Sequence, residues 1–438
     1  MRVIHPNAAG IDIGADFIFI AVEDQAVVSF ETFTDALHQA RDYLLAHHIE
    51  TVAMEATGIY WLPLYEILEA AGLEVFLVNG AHVKNVPGRK SDVLDCQWLE
   101  QLHSCGLLRK SFIPEAQIRQ LRTYLRLRDD HIELGAMHIQ HMHKALELMN
   151  IKLHRVISQI QGKSGLRIVE AMLAGERDAE VLAALCQRQI LNRKRSEVIR
   201  SLAGTYQAEH LFALEQALTA WRFYQQQIQQ CDQKIEALLE EMTAAIEQPD
   251  EIQPPKPIRH NKPAIADLHT KLMKLTGGRD ASQLPGLTDL TLMKLISEVG
   301  TDMSRWPSAK HFVSWLGLSP GVHQSGKRRW RRRSRRKSRA GQIFRESAQS
   351  LAGSKHLALG GFYRRLRAKR GPAIAIVATA RKLAIMFYNV LRYGMAYVEQ
   401  GLHRYEQRYK EQIIRSLQRR AKALGLQLVV PNPEPMVH

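Results

Sequence analysis

Apolar residues near the start of the chain fall in short runs separated by longer stretches with helical spacing. Ala9-Gly10-Ile11-Asp12-Ile13 and Phe17-Ile18-Phe19-Ile20-Ala21-Val22 flank Gly14-Ala15-Asp16, which predicts a strand pair across Ala8–Val22. A helix is expected around Phe33–His47, then a buried strand over Thr51–Met54, a helix over Leu62–Ala71 and a strand over Glu74–Val78. Such alternation indicates an α/β segment with its sheet in the middle.

The pattern then changes. No proline occurs from Glu115 to Gln248, and apolar residues recur at three- and four-residue steps: Leu121, Leu125, Ile132, Ile139, Met142, Leu146, Met149, Leu153, Val156 and Ile160. A second series runs Leu211, Leu214, Leu218, Trp221, Ile228, Cys231, Ile235, Leu238 and Met242. Both are heptad seams of coiled-coil type, able to pack on each other or on a second subunit. Between them, Gly162–Gly204 reads as an insert of shorter helices. Prolines return in residues 249–263, a linker containing Pro254-Pro255-Lys256-Pro257. Helical patterning resumes after it, and a charged helical tail begins near Ala396. The expected layout is 1–112 (α/β), 113–248 (all-α, coiled coil), 249–263 (linker), 264–400 (helical C-terminal domain) and 401–438 (tail).

Charge changes the picture. Across 438 residues, 60 Lys+Arg face 44 Asp+Glu, a formal net charge of +16, which favours a polyanionic partner. The apolar fraction, 45%, is ordinary for a globular protein. No apolar run approaches the roughly 20 residues of a membrane span, and Met1-Arg2-Val3-Ile4-His5-Pro6 does not read as a signal peptide. The four cysteines, Cys96, Cys105, Cys186 and Cys231, are widely spaced, as reduced thiols of a cytoplasmic protein would be. His138, His141 and His143 read as surface or seam residues of a long helix rather than metal ligands.

Acids occur at telling places within this basic chain. Asp12 sits inside a buried strand, where a carboxylate is costly unless paired or bound to metal. Glu55 ends the strand Val52-Ala53-Met54. Asp92 and Asp95 lie in Lys90-Ser91-Asp92-Val93-Leu94-Asp95, the first turn of a helix with Ser91 as N-cap, and their spacing puts them on one face. Taken singly, Asp12 is also readable as a turn aspartate, Glu55 as a strand-end surface residue and the pair as ordinary first-turn acids. Together they suit one or two magnesium ions, which take oxygen ligands and serve phosphoryl transfer.

Further along, Leu284-Pro285-Gly286-Leu287-Thr288 is either a phosphate-gripping hairpin between helices or a plain helix-start turn. The segment from Phe312 to Gly326 delivers Ser325-Gly326 into a basic run comprising Lys327, Arg328, Arg329, Trp330, Arg331, Arg332, Arg333, Arg335 and Arg336. Ser325 reads either as a nucleophile activated among cations that hold phosphate or as a turn serine ahead of a strand. The basic run reads as a nucleic-acid surface or a solvated basic loop, with Trp330 stacking on a base or anchoring the loop.

These motifs resemble the DEDD transposases of the insertion-sequence-110 family, with the proportions of the subgroup founded on insertion sequence 1111. Gly10-Ile11-Asp12-Ile13-Gly14, Met54-Glu55-Ala56-Thr57-Gly58 and Lys90-Ser91-Asp92-Val93-Leu94-Asp95 match the family's four-carboxylate motif in order, and the resemblance covers nearly the whole chain. It implies a RuvC-like, RNase H-type N-terminal domain, a coiled-coil middle and a C-terminal transposase domain. It makes Asp12, Glu55, Asp92 and Asp95 the metal ligands and Ser325 the serine that links covalently to DNA, with Ser319 and Ser334 as neighbouring alternatives. It also implies donor and target DNA as partners, a structured non-coding guide RNA, a dimer or tetramer, and a place on the bacterial nucleoid. Two rival readings stand beside it. One is a structure-selective metal-dependent nuclease using water, the other a non-catalytic nucleic-acid-binding protein.

Overall fold

Five short strands near the N-terminus pair into one sheet in the computed structural model, which describes residues 3–56, 58–80, 92–249, 251–319, 321–326, 328–332 and 338–427. They are β1 (Ala8–Ile13), β2 (Phe17–Val22), β3 (Val28–Glu31), β4 (Thr51–Glu55) and β5 (Glu74–Val78), in the order β3-β2-β1-β4-β5. β1, β2 and β3 pair antiparallel, whereas β1/β4 and β4/β5 are parallel. Parallel neighbours need crossovers, supplied by α1 (Thr34–Ala46) before β4 and α2 (Trp61–Ala70) before β5. β3 was not among the expected strands. It is a four-residue edge whose positions are only half-buried or exposed, so its apolar signal is weak.

The two sheet faces differ in residue size. Ala9, Ile11, Ile13, Val52, Met54, Val75 and Leu77 point into a core with Leu37 and Leu44 of α1 and Leu64 and Leu68 of α2. The alternate positions of β1 and β4 include the small residues Ala8, Gly10 and Ala53, and α3 (Asp92–Ser104) packs there. A Cβ on Gly10 would overlap the backbone nitrogen of Glu100 and the carbonyl oxygen of Cys96. The α3 backbone therefore rests directly on the strand. Ser91, the expected cap of α3, lies outside the described residues.

Residues 1–113 form one compact unit and 114–438 a second. In the second, α4 (Ala116–Leu148) and α8 (Ala208–Thr243) pack on each other antiparallel. Gln117 Nε2 donates to Glu241 Oε1 at 3.2 Å near one end, and Gly135 lies beside Trp221 and Tyr224 further along. The expected seam overran. Leu153, Val156 and Ile160 lie beyond the helix, because α4 stops where Asn150 turns left-handed at φ 56°. The amides of Asn150 and Ile151 there donate back to Glu147 and Leu146, a Schellman ending. The overrun residues pack with α5 (Lys163–Leu173), α6 (Ala179–Ala184) and α7 (Arg188–Leu202) into a small core at the end of the pair.

A buried ion pair ties the linker to the helices. Arg128, 1% exposed, donates from Nε to Asp232 Oδ1 at 2.5 Å and from Nη2 to the Asn261 carbonyl at 3.1 Å. Asp232 Oδ2 accepts from the Ala264 amide at 2.9 Å.

The chain continues as α9 (Leu268–Leu275), α10 (Asp289–Val299), α11 (Ala309–Trp315), the hairpin of β6 (Gly321–Ser325) and β7 (Arg328–Arg332), α12 (Arg339–Ser350), α13 (Ala358–Arg370), α14 (Pro372–Tyr393) and α15 (Met395–Ala423). Phe312, Phe344, Phe387, Tyr388 and Trp306 form its aromatic core. One expectation needs correction. Among the described residues α14, with 22 residues and a mean hydropathy of 1.5 in its most apolar window, is long and apolar enough to cross a membrane. Its apolar character has a structural use, since half of that window is buried and Leu383, Ala384 and Phe387 sit in the core.

Truncating one partner of a buried ion pair leaves a charge in a dry interior and costs about 3–5 kcal/mol. Arg128→Met should show that loss in urea unfolding, and Arg128→Met with Asp232→Leu should recover most of it. A loss below about 1 kcal/mol for the single change would mean that water reaches the pair.

Candidate carboxylate site and basic hairpin

The parallel ladder runs from Ala8↔Thr51 to Ile11↔Met54, so the next positions, Asp12 and Glu55, are neighbours at the C-terminal ends of β1 and β4. Glu55 has a place made for it. Gly80, just past β5, carries no side chain, and a Cβ there would overlap Glu55 Oε1. Asp92 and Asp95 occupy the first turn of α3, the first exposed and the second half-buried. The amide dipole at a helix start favours negative charge there.

Asp12 reports how close the four acids stand. Its pKa rises from 3.8 to about 6, first through burial and then through repulsion by Asp92, Asp95 and Glu55, with a backbone hydrogen bond from Ile13 acting the other way. The charged groups that shift it are all carboxylates, so the four share one electrostatic field. An all-oxygen, strongly anionic set fits a hard divalent cation. All four acids are described, yet among the described residues no three carboxylate, imidazole or thiolate groups are disposed to hold an ion, so the set matches such a cation in chemistry and not in the spacing seen here.

Two neighbours were not anticipated. Cys96 is buried beside Asp12, and burial followed by the Asp12 charge pushes its thiol up to about 12, so it stays protonated. His103 is 1% exposed, stacks on His5 at 4.9 Å and hydrogen-bonds Thr51 Oγ1 at 2.9 Å. Burial, with His5, lowers its pKa to about 4, which keeps this α3 imidazole neutral where it meets Thr51 of β4. Gly10 and Gly80, which set the positions of α3 and Glu55, were also missed as site-forming residues. The signal available was Gly10-x-Asp12, because the two-residue strand period places a residue with no side chain on the acid's own face.

In the second unit, Ser325 closes β6 and is registered opposite Arg328, with Gly326 in the turn at φ 56°. Arg328, Arg329, Trp330, Arg331 and Arg332 form β7, a paired strand rather than a loop. Lys327, Arg333, Ser334, Arg335 and Arg336 lie outside the described residues, and Ser319 is half-buried at a bend before β6. Both feet of the hairpin segment are clamped. Ser338 Oγ donates to the Leu316 carbonyl at 3.1 Å, and Arg345 Nη2 donates to the Gly317 carbonyl at 3.1 Å. Gly341 fits against Leu316, where a Cβ would overlap its carbonyl oxygen.

Of the two readings of Leu284–Thr288, the geometry favours the helix-start turn. Leu284, Pro285 and Leu287 are buried, Gly286 lies against the Ser347 carbonyl, and Thr288 caps α10. On α4, His138 stacks on Tyr224 and His141 is exposed, while His143 approaches His154.

A sheet whose edge gathers four acids, with an arginine-rich hairpin later in a basic chain, defines a class of protein that works on nucleic acid. Comparison with known families makes this specific. Residues 9–151 match the family model described as a transposase, the DEDD type of IS110, and residues 279–363 match the transposase IS116/IS110/IS902 family. The chain belongs to the IS110 family of transposases, enzymes that cleave and recombine DNA. Its DEDD domain is of a kind that generally uses divalent metal ions. No curated protein matches the chain.

An aspartate whose pKa is raised on folding favours the native state most when protonated. The metal-free protein should therefore lose stability as pH rises from about 4 to about 6 and change little above. Asp92→Asn removes the largest repulsion on Asp12, so the Asp12 pKa should fall towards 4 in a carbon-13 NMR titration. An unchanged value would show that Asp92 does not act on Asp12 and that burial with the other acids holds it up.

Proposed function

We propose that this transposase exchanges DNA strands through a covalent serine–DNA intermediate, with residues 1–113 acting as an RNase H-like, RuvC-type carboxylate domain. The observation that carries the reading is the shared field of Asp12, Glu55, Asp92 and Asp95 at one end of the sheet. The strand order β3-β2-β1-β4-β5, with acids on the two central parallel strands and on the helix after β5, supports the RNase H-like assignment. Acids repel phosphate unless a metal intervenes, so grouping four of them in a chain of net charge +16 argues for catalysis over simple binding.

Asp12, Glu55, Asp92 and Asp95 would hold magnesium, one or two ions. Bound there, it supplies positive charge to the attacking and leaving oxygens of a phosphodiester. The other parts come from the chain. Lys327, Arg328, Arg329, Arg331, Arg332, Arg333, Arg335 and Arg336 hold the strand by its phosphates, and Trp330 stacks on a base. Ser325 Oγ attacks phosphorus. The serine–phosphorus bond forms as the bond to the bridging sugar oxygen breaks, and that oxygen gains a proton as the serine loses one. One phosphoester replaces another, so the energy of the strand is kept and a second DNA end can displace the serine without ATP.

The partners follow from the family and from charge: donor and target DNA, and a non-coding guide RNA of the element. The protein acts in the bacterial cytoplasm, on the nucleoid. A dimer or tetramer is supported by the arms themselves. Their inward seam is spent on the α4–α8 contact, yet Leu127, Leu134 and Leu148 stay 44%, 38% and 52% exposed at heptad spacing, leaving an outer apolar stripe for a second subunit.

Covalent trapping tests the mechanism. The protein is incubated with magnesium, the element's circular junction DNA, a target duplex and RNA transcribed from the element's flank. Protein-linked DNA on a denaturing gel is expected from wild type, and none from Asp12→Ala or Ser325→Ala or without the RNA. Cleavage without an adduct, unchanged in Ser325→Ala, would identify a hydrolytic nuclease instead. DNA binding with no cleavage at all would identify a non-catalytic binder.

A further inference from the structure

The C-terminal helix α15 lies outside both matched family segments, which end at residue 363. Between Met395 and Ala423 it carries seven Lys or Arg against three Glu. Its first half is fastened to the helices before it. Glu406 accepts from the Ala358 amide at 3.1 Å, Tyr409 OH meets Arg364 at 3.2 Å, and Arg365 meets Gln412 at 2.6 Å. Gly361 leaves the room that the Tyr409 ring fills. Beyond Gln412 the helix is exposed to Ala423 apart from Ser416 and Ala421, which are half-buried.

The cations are not scattered. At 3.6 residues per turn, Arg404, Arg408, Arg415, Arg419 and Lys422 fall within an arc of about 60° and span about 27 Å along the axis. All five are exposed. Glu411 borders the stripe and pairs with Arg415 at 3.2 Å, while Lys410 and Arg420 lie off it. Between Arg404 and Lys422 the helix aromatics, Tyr405 and Tyr409, are half-buried, and the exposed Tyr397 on the same face lies seven residues before Arg404, so the stripe itself offers charge without a stacking platform. Binding to single strands relies on such platforms, whereas a straight row of cations suits the regularly spaced phosphates of a duplex.

We propose that this stripe is a second DNA-binding surface that holds the phosphate backbone of double-stranded DNA independently of sequence. Of the earlier reading it uses only the identity of the partner as DNA, and it is tested without metal, so failure of the catalytic mechanism leaves it standing. Arg404, Arg408, Arg419 and Lys422 are replaced together by Gln, a good helix former, in the full-length chain. A control chain carries Lys410→Gln and Arg420→Gln. Affinity for a thirty-base-pair duplex is read by fluorescence anisotropy in EDTA over a range of salt, with circular dichroism to check helix content.

Each lost phosphate contact lowers the slope of log affinity against log salt by about 0.9. The stripe variant, with four cations removed, should therefore lose about three and a half units of slope and at least about tenfold in affinity near physiological salt. The control should change by less than about half a unit. An equal loss per charge in both variants would mean that general electrostatics, and not the stripe, attracts DNA. A loss confined to duplex RNA, or to anionic phosphatidylserine vesicles with DNA affinity intact, would also overturn the assignment.

Discussion

Four carboxylates close enough to repel one another electrostatically share one end of the sheet because a helix can lie against a strand with nothing between their backbones. A side chain at Gly10 would overlap Glu100 and Cys96, so any larger residue would lift α3 and carry Asp92 and Asp95 away from Asp12. The opposite face of the same strands is packed with isoleucine, valine and leucine from β1, β4 and β5 against α1 and α2, which fixes the sheet that α3 rests on. Packing on both faces offsets the cost of keeping Asp12 there, where burial first and the neighbouring acids second raise its pKa to about 6. A cluster of this kind is destabilised by its own negative charge, which a proton on Asp12 relieves.

The second unit solves a different problem, that of presenting a very basic hairpin from a helical body. Arginines crowded into one segment repel each other, so the segment needs firm supports. Ser338 and Arg345 reach back across the base of the hairpin to Leu316 and Gly317, and the aromatic core of Phe312, Phe344 and Phe387 lies between α11, α12 and α14. Charge is also used inside the body. Arg126 grips Glu298 with two hydrogen bonds, at 2.9 and 2.8 Å, fixing α10 to α4. The buried Arg128–Asp232 pair sets where the linker crosses the helices.

Much of the architecture was legible in the pattern of residues. Short apolar runs bounded by glycine and polar residues marked four of the five sheet strands, and apolar residues at three- and four-residue steps without proline marked both long helices. β3 escaped because a half-exposed edge strand of four residues carries too little apolar contrast. The seam beyond Met149 was misread because a helix-like spacing of Leu153, Val156 and Ile160 also serves residues packing from a 3-10 turn and loop. The apolar stretch of α14 was underrated because Arg381 and Lys382 interrupt it in sequence.

The sequence by itself determined the chemistry on offer: four acids on strand ends and a helix start, a serine leading into arginines, and a net charge of +16. Those follow from residue type and local spacing, which act over a few positions. Tertiary structure decided what local spacing cannot reach. That Asp12 and Glu55 stand side by side depends on the parallel register of strands 43 residues apart, from Ala8↔Thr51 to Ile11↔Met54. That α4 pairs with α8 within the subunit depends on complementary surfaces far apart in the sequence, with Arg128 and Asp232, 104 residues apart, as one buried contact. Both are long-range contacts whose loop-closure entropy only a complete core can offset.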